Sequence, residues 1–310
     1  MILTVTMNPS IDIAYQISTF GLDRVNRTEE TDKTPGGKGM NVTRVLASLG
    51  DDVMATGLIG GKTGEYLQER LKEAGIATAF YPVAGDTRNC IAVLHEGKQT
   101  EILEQGPVIS EEEYQGFLGR FRELIQHCDA VAISGSLPQG VPDTCYGDLV
   151  KEASEAGVPV ILDCSGSALV HALQAEQKPA AIKPNTDELS ELLNQKITKD
   201  PEMLKEALSK ELFAGIDWIV VSLGKDGCFA KHGDTFYNVR VPKIQVVSPV
   251  GSGDATVAGI ASGIVNGLSD EDLLRRANTL GMLNAQEKAT GTVNMEHYDE
   301  LYRKITITKV

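Results

Sequence analysis

The chain has no excess of basic residues. Lys and Arg number 29 against 43 Asp and Glu, a formal charge of −14. Nucleic-acid and anionic-membrane partners favour a net basic face, so the balance argues against both. Any phosphate site must be built locally, from a few cations and backbone N–H groups. No C-x-x-C occurs among the five cysteines, Cys90, Cys128, Cys145, Cys164 and Cys228. Their odd number and wide spacing fit a reducing compartment and do not suggest a zinc site. His95, His127, His171, His232 and His297 show no metal-ligand spacing, and none is assigned a catalytic role. The first residues have neither a basic n-region nor a long apolar stretch. No signal peptide or membrane span is expected, and the expected location is the cytoplasm. Repeats and low-complexity tracts are also missing.

What is present fits a large α/β enzyme. The 310 residues are 42% hydrophobic and 23% charged, enough to bury most apolar surface on folding. Short β-branched runs at 2–6, 53–59, 130–134, 158–163, 180–183 and 218–222 read as strands. Amphipathic spacing at 41–49, 64–74, 111–127, 144–156 and 187–193 reads as helices. This alternation predicts a doubly wound, mostly parallel sheet with helices on both faces and ligands at the strands' carboxyl ends.

Two segments break the rhythm. Residues 10–35 lack a good helix, and 89–104 read as a hairpin around Glu96-Gly97-Lys98. The expectation is one domain over 1–310 carrying a small antiparallel β lid from about 10–35 and 88–105. The alternative is a surface flap without a role. The alternate apolar face at Ile91, Val93 and Ile102 suggests a homodimer through the lids. Further on, 250–267 and 273–287 read as two helices, with small residues such as Ala277, Gly281 and Ala285 permitting close approach.

Two glycine-rich turns carry the chemistry. Gly251-Ser252-Gly253-Asp254 precedes a helix, so its N–H groups form an anion site and Asp254 stands beside it. A carboxylate there can take the proton from an attacking hydroxyl, or can simply cap the helix. No Lys-Ser/Thr follows, which excludes a Walker A loop. The third glycine and ribose-binding acid of a dinucleotide fingerprint are also missing. The second turn, Gly36-Gly37-Lys38-Gly39-Met40-Asn41, precedes a helix with Asn41 as its plausible N-cap. It suits a small polar ligand with an anionic group, or is a tight turn with Lys38 facing solvent. Asp12, after Asn8-Pro9, can accept sugar hydroxyls or hold a turn.

In this order, these motifs resemble the two signatures of the ribokinase-like, or PfkB, carbohydrate kinases. Ser134-Gly135-Ser136-Leu137-Pro138 and Lys183-Pro184-Asn185-Thr186-Asp187-Glu188 resemble further family motifs, and the match spans essentially the whole chain. The closest likeness is to the phosphosugar branch acting on D-tagatose 6-phosphate or fructose 1-phosphate. Thr87-Arg88-Asn89-Cys90, 161–166 and 279–287 look more like the tagatose enzymes. The resemblance implies ATP-dependent phosphorylation with Mg²⁺. It makes Asp254 the base and gives the migrating phosphoryl to the N–H groups of Gly251, Ser252 and Gly253. Asp12, Gly37, Gly39 and Asn41 would hold the sugar, with Ser136 completing the pocket. Lys38 and Arg88 would hold the phosphate already on the sugar, although Arg88 also fits a surface salt bridge. Lys183, Asn185 and Glu188 would serve the metal-nucleotide, Glu188 through water, although Asn185-x-x-Glu188 also fits a capping box. Adenine would lie near Ser222, Gly224, Gly227 and Asn278, although Gly-Lys-Asp-Gly also fits a plain hairpin turn. A catalytically silent sugar-phosphate-binding regulator is the alternative from another class.

Overall fold

Thr4 and Val5 pair on one side with Ala55 and Thr56, and on the other with Ala132 and Ile133, in parallel register. That triplet lies toward one end of the main sheet, within its parallel part. The computed structural model describes every residue, Met1–Val310. The chain runs β1 (Ile2–Thr6), β2 (Ser10–Gln16), β3 (Glu30–Gly36), α1 (Lys38–Leu49), β4 (Val53–Ile59), α2 (Gly61–Glu73), β5 (Ala77–Thr78), β6 (Tyr81–Pro82), β7 (Arg88–His95) and β8 (Lys98–Leu103). It continues α3 (Glu111–Ile125), β9 (Ala130–Ser134), α4 (Cys145–Glu155), β10 (Val160–Asp163), α5 (Gly166–Gln174), β11 (Ala181–Ile182), α6 (Thr186–Leu193), α7 (Pro201–Leu208) and β12 (Trp218–Ser222). It closes with β13 (Cys228–His232), β14 (Thr235–Arg240), α8 (Ser252–Val265), α9 (Asp270–Ala285), α10 (Tyr298–Lys304) and β15 (Thr306–Lys309).

The main sheet has eleven strands in the order β15-β14-β13-β12-β11-β10-β9-β1-β4-β5, with β6 also on β4. From β12 to β5 the pairs are parallel; from β12 to β15 they are antiparallel. Helices α3 to α7 cover one face through Phe117, Phe121, Tyr146 and Leu204. Helices α1, α8, α9 and α10 cover the other through Val45, Ile260, Leu280 and Leu301. Covering both faces explains why β1 and β9 are buried along their whole length and are largely apolar. No helix is long and apolar enough to cross a membrane.

A separate four-stranded sheet stands off this body in the order β3-β2-β7-β8. Its outer pairs are antiparallel, and its central pair, β2 with β7, is parallel from Ser10↔Arg88 to Gln16↔Leu94. Both central strands leave the main body at the same root, so they run the same way. The β7–β8 turn puts Glu96 and Gly97 at φ 49° and 72°, the left-handed geometry that matches strand twist in a two-residue hairpin.

Helices α8 and α9 pack at small residues, as their composition predicts. A β-carbon on Gly259 would stand 2.5 Å from the Ala277 α-carbon. Backbone cannot yield as a side-chain tip does. Gly259→Ala should therefore lose about 1–3 kcal/mol by overpacking, more than the about 1 kcal/mol it gains in helix propensity. A β-carbon on Gly119, within α3, meets nothing within 4 Å. Urea melts should move in opposite directions, Gly259→Ala to lower and Gly119→Ala to higher stability.

Candidate active site

Gly251 takes φ 84°, a left-handed turn that lets α8 begin at Ser252. The N–H groups of Gly251, Gly253 and Asp254 have no acceptor within the chain; that of Ser252 reaches Pro249 O at 3.3 Å. Three free donors at the positive end of a helix form an anion cradle. Asn284, fully buried on α9, braces it: Nδ2 donates to Val250 O and Oδ1 accepts from Gly291 N–H, both at 2.8 Å.

Asp254 lies buried in the first turn of α8, and Asn41 Nδ2 donates to its Oδ2 at 2.7 Å. Asp163, at the carboxyl end of β10, sits between two ammonium groups. Lys183 Nζ is 3.4 Å from its Oδ1 and Lys38 Nζ 3.6 Å from its Oδ2. Lys183 Nζ also lies against the cradle, 3.2 Å from where a β-carbon on Gly253 would stand. Burial, and then the charge of Asp163, push Asp254 up to about 6; the Asn41 hydrogen bond, Lys38 and Lys183 oppose them. Asp163 foremost, with Asp254 and Glu188, raises Lys38 and holds it charged.

Asn41 is not a cap. Gly37, at φ 100°, takes that position, so α1 starts at Lys38 and Asn41 lies in its first turn. This turns the Asn41 side chain toward Asp254. Gly39, in the same turn, packs on Val5 and Thr6 of β1. Asp12 accepts from Ser10 Oγ at 2.7 Å and lies over Gly36, where a β-carbon would meet its Oδ1 at 1.9 Å. A side chain at 36 would have to displace the Asp12 carboxylate. Burial raises Asp12, while the Ser10 bond, Arg44 and Arg88 lower it. Ser136 is exposed in the loop after β9, next to Gly135, which faces the Lys38 stem.

Lys38 and Arg88, both expected at the sugar's phosphate, have different partners within the chain. Buried Asp163 requires counter-charges and draws Lys38 to the cradle side. Arg88 sits at the lid root, where Nε and Nη2 donate to Asn8 O at 3.3 and 3.1 Å and Nη1 to Glu104 O at 3.0 Å. Arg88 is a clamp there rather than a surface salt bridge, with two of its five N–H groups left. It lines a polar cleft of about 510 Å³ with Thr63, Asp86, Asn89, Glu104 and Gln105.

On the opposite side, Asn185 caps α6. Its Oδ1 accepts from Asp187 and Glu188 N–H, and Glu188 Oε2 accepts from Asn185 N–H, each at 2.8 Å. The capping box occupies one Glu188 oxygen and leaves the other. Ser222 N–H donates to Pro184 O at 2.9 Å, bringing the end of β12 beside Lys183 and Asn185. Gly224, at φ 62°, opens a 3-10 turn that Gly227, at φ 99°, ends. Asn278 Nδ2 is turned inward, to Leu274 O at 2.8 Å and Cys228 Sγ at 3.2 Å, which leaves only Oδ1 for a ligand.

Sequence reasoning overlooked Arg44 and the bracing role of Asn284. Arg44 lies one helical turn beyond Asn41, a spacing that could have flagged it. Nothing local marks Asn284.

The family described as pfkB family carbohydrate kinase matches residues 5–297. A Staphylococcus aureus protein provisionally assigned as a phosphofructokinase is 31% identical, covering 100% of this chain and 99% of that one, with a TM-score of 0.87. Phosphofructokinase-2 from Escherichia coli, in complex with potassium, is 28% identical over 97% of this chain and 98% of that one, with a TM-score of 0.89. A Thermotoga maritima protein provisionally assigned as a 1-phosphofructokinase is 28% identical over 100% and 99%, at 0.86.

The raised carboxylate has a cost in stability. Asp254 titrates at about 6 in the folded chain against 3.8 for a free side chain. A carboxylate raised by folding destabilises once it ionises. The penalty grows from pH ~4 to ~6, then stays constant at roughly 2–3 kcal/mol. Asp254→Asn should therefore melt at a higher temperature than the parent at pH ~7.5, with the gap closing near pH ~4. Thermal melts at the two pH values check this.

Proposed function

The chain belongs to the pfkB family of carbohydrate kinases, and on that premise we propose that it transfers the γ-phosphoryl of ATP to a ketohexose monophosphate. The first substrate proposed is D-tagatose 6-phosphate, converted at O1 to the 1,6-bisphosphate. The carrying observation is Asp254, held at about 6 beside three free N–H donors and two lysines. Above that pH its carboxylate accepts the proton of the attacking hydroxyl. The Gly251, Gly253 and Asp254 N–H groups face the charge that develops on the migrating phosphoryl, and Lys38 and Lys183 flank it. Asp12 and Asn41 orient the sugar, and the free N–H groups of Arg88 meet its existing phosphate in the polar cleft. Glu188, with the oxygen that the capping box leaves free, would hold Mg²⁺ through water, and the ion would supply charge neutralisation to the phosphates of ATP. Ser222, Gly224, Gly227 and the Asn278 oxygen border the proposed adenine side.

Fructose phosphates are the second reading. It is favoured by the similarity to Escherichia coli phosphofructokinase-2, known in complex with fructose-6-phosphate. We also propose a homodimer through the lids. Strand β8 is exposed along its length, with Ile102 and Leu103 each 58% exposed.

ADP release should be compared on tagatose 6-phosphate, fructose 6-phosphate and fructose 1-phosphate with Mg-ATP. Turnover is expected to be highest on the first. No release with any of them, alongside sugar binding by calorimetry, would leave a silent binding protein instead. Asp254→Asn should lose at least ~10²-fold in kcat while still binding nucleotide. The parent's kcat should rise with pH through about 6. Gel filtration at micromolar concentration should give a dimer that Ile102→Glu splits.

A further inference from the structure

Arg44 joins three parts of the site from one position on α1. Its Nη2 donates to Asn41 Oδ1 at 2.7 Å and to Thr290 O at 2.8 Å, and its Nη1 donates to Pro35 O. Pro35 lies near the end of lid strand β3. Thr290 packs on the cradle, its β-carbon 3.1 Å from where one on Gly251 would stand. Asn41 in turn presents Nδ2 to Asp254 Oδ2.

An asparagine amide has a donor end and an acceptor end. With Oδ1 held by a guanidinium, Nδ2 must face the carboxylate. If the amide were free to flip, Oδ1 could be set against an ionised Asp254, and the only neutral donor on that carboxylate would be lost. Arg44 is itself disfavoured as a cation by burial, and Asp12 and then Asp254 offset this without forming an ion pair with it. Its charge and its fork therefore both bear on the base.

We infer that Arg44 is a positioning residue for the base: it fixes the Asn41 amide with its N–H groups toward Asp254 and anchors that pair to the lid strand and the Thr290 loop. This rests on the assignment of Asp254 as the base. Besides Arg44 itself, the charged groups facing Asp254 are Asp163 from β10, Lys38 from α1 and Lys183 from beyond β11, and none of these three holds Asn41.

The test uses Arg44→Lys, Asn41→Ala and the double variant in the full chain. Lysine keeps the charge but cannot hold the three acceptors in one fork. Arg44→Lys should lower kcat roughly ten- to a hundredfold near pH 6.5 with the KM for ATP unchanged. Its acid limb should move to higher pH, because Asp254 loses the bond that lowers it. Asn41→Ala should move the limb the same way, and the double variant should be no worse than the poorer single one. An unmoved limb, or losses that add in full, would overturn the inference. If Arg44→Lys does not fold, Arg44→Gln takes its place under the same criteria. A parent without turnover, or an active Asp254→Asn, would instead overturn the assignment of the base.

Discussion

Two carboxylates and two ammonium groups share one corner at the carboxyl ends of the parallel strands. Asp163, Asp254 and Lys183 are buried there, and Lys38 closes the open side. Unpaired, any of these charges would be expensive to bury; as alternating neighbours they tolerate one another. Much of the surrounding architecture serves that arrangement. Parallel pairing brings the ends of β10 and β11 side by side, and Gly37 and Gly251 open the two helices that face them. Close packing of α8 on α9 and the Asn284 brace hold the free N–H groups still.

The price of this corner is an aspartate, Asp254, that is less acidic than one on the surface, and a fold that carries its ionisation. The same environment suits proton transfer. A carboxylate in water would be a weak acceptor near neutral pH, whereas one raised by burial and a like charge is matched to the task. The two lysines do not cancel this effect, because both are drawn first to Asp163.

Much of this was legible in the sequence because it is local. The strands at 2–6, 53–59, 130–134 and 218–222 coincide with β1, β4, β9 and β12, since unbroken β-branched runs have few other uses. The hairpin at Glu96-Gly97 was equally readable from its turn residues. Helices α5 and α7 were missed; α7 buries Leu204, Ala207 and Leu208 at helical spacing, so its signal was present and was passed over. In the site, Asp254 and its cradle follow from four consecutive residues, but the partners of Lys38 do not. Its attraction to Asp163 is a tertiary fact that no spacing encodes. Asn41 was misplaced by one turn because Asn commonly caps helices, and a positive-φ glycine upstream took the role. The capping box at Asn185 and Glu188 coexists with a free oxygen, so the structural and functional assignments were never exclusive.

The placement of the three cations Lys38, Lys183 and Arg88 bears on how the proposed substrates would arrive. The chain as a whole carries −14, and both proposed substrates are anions. Beyond a Debye length of about 8–10 Å, salt screens the general repulsion of such a surface. At short range the cations act separately, buried Lys183 and half-exposed Lys38 beside the cradle and Arg88 in the polar cleft at the root of the small sheet. Capture is therefore decided at short range, after approach and not during it. An anion is not drawn in from afar, and only one whose shape reaches the lysines feels their attraction. The sparse placement of these cations makes geometric fit, more than charge, the gate to the site.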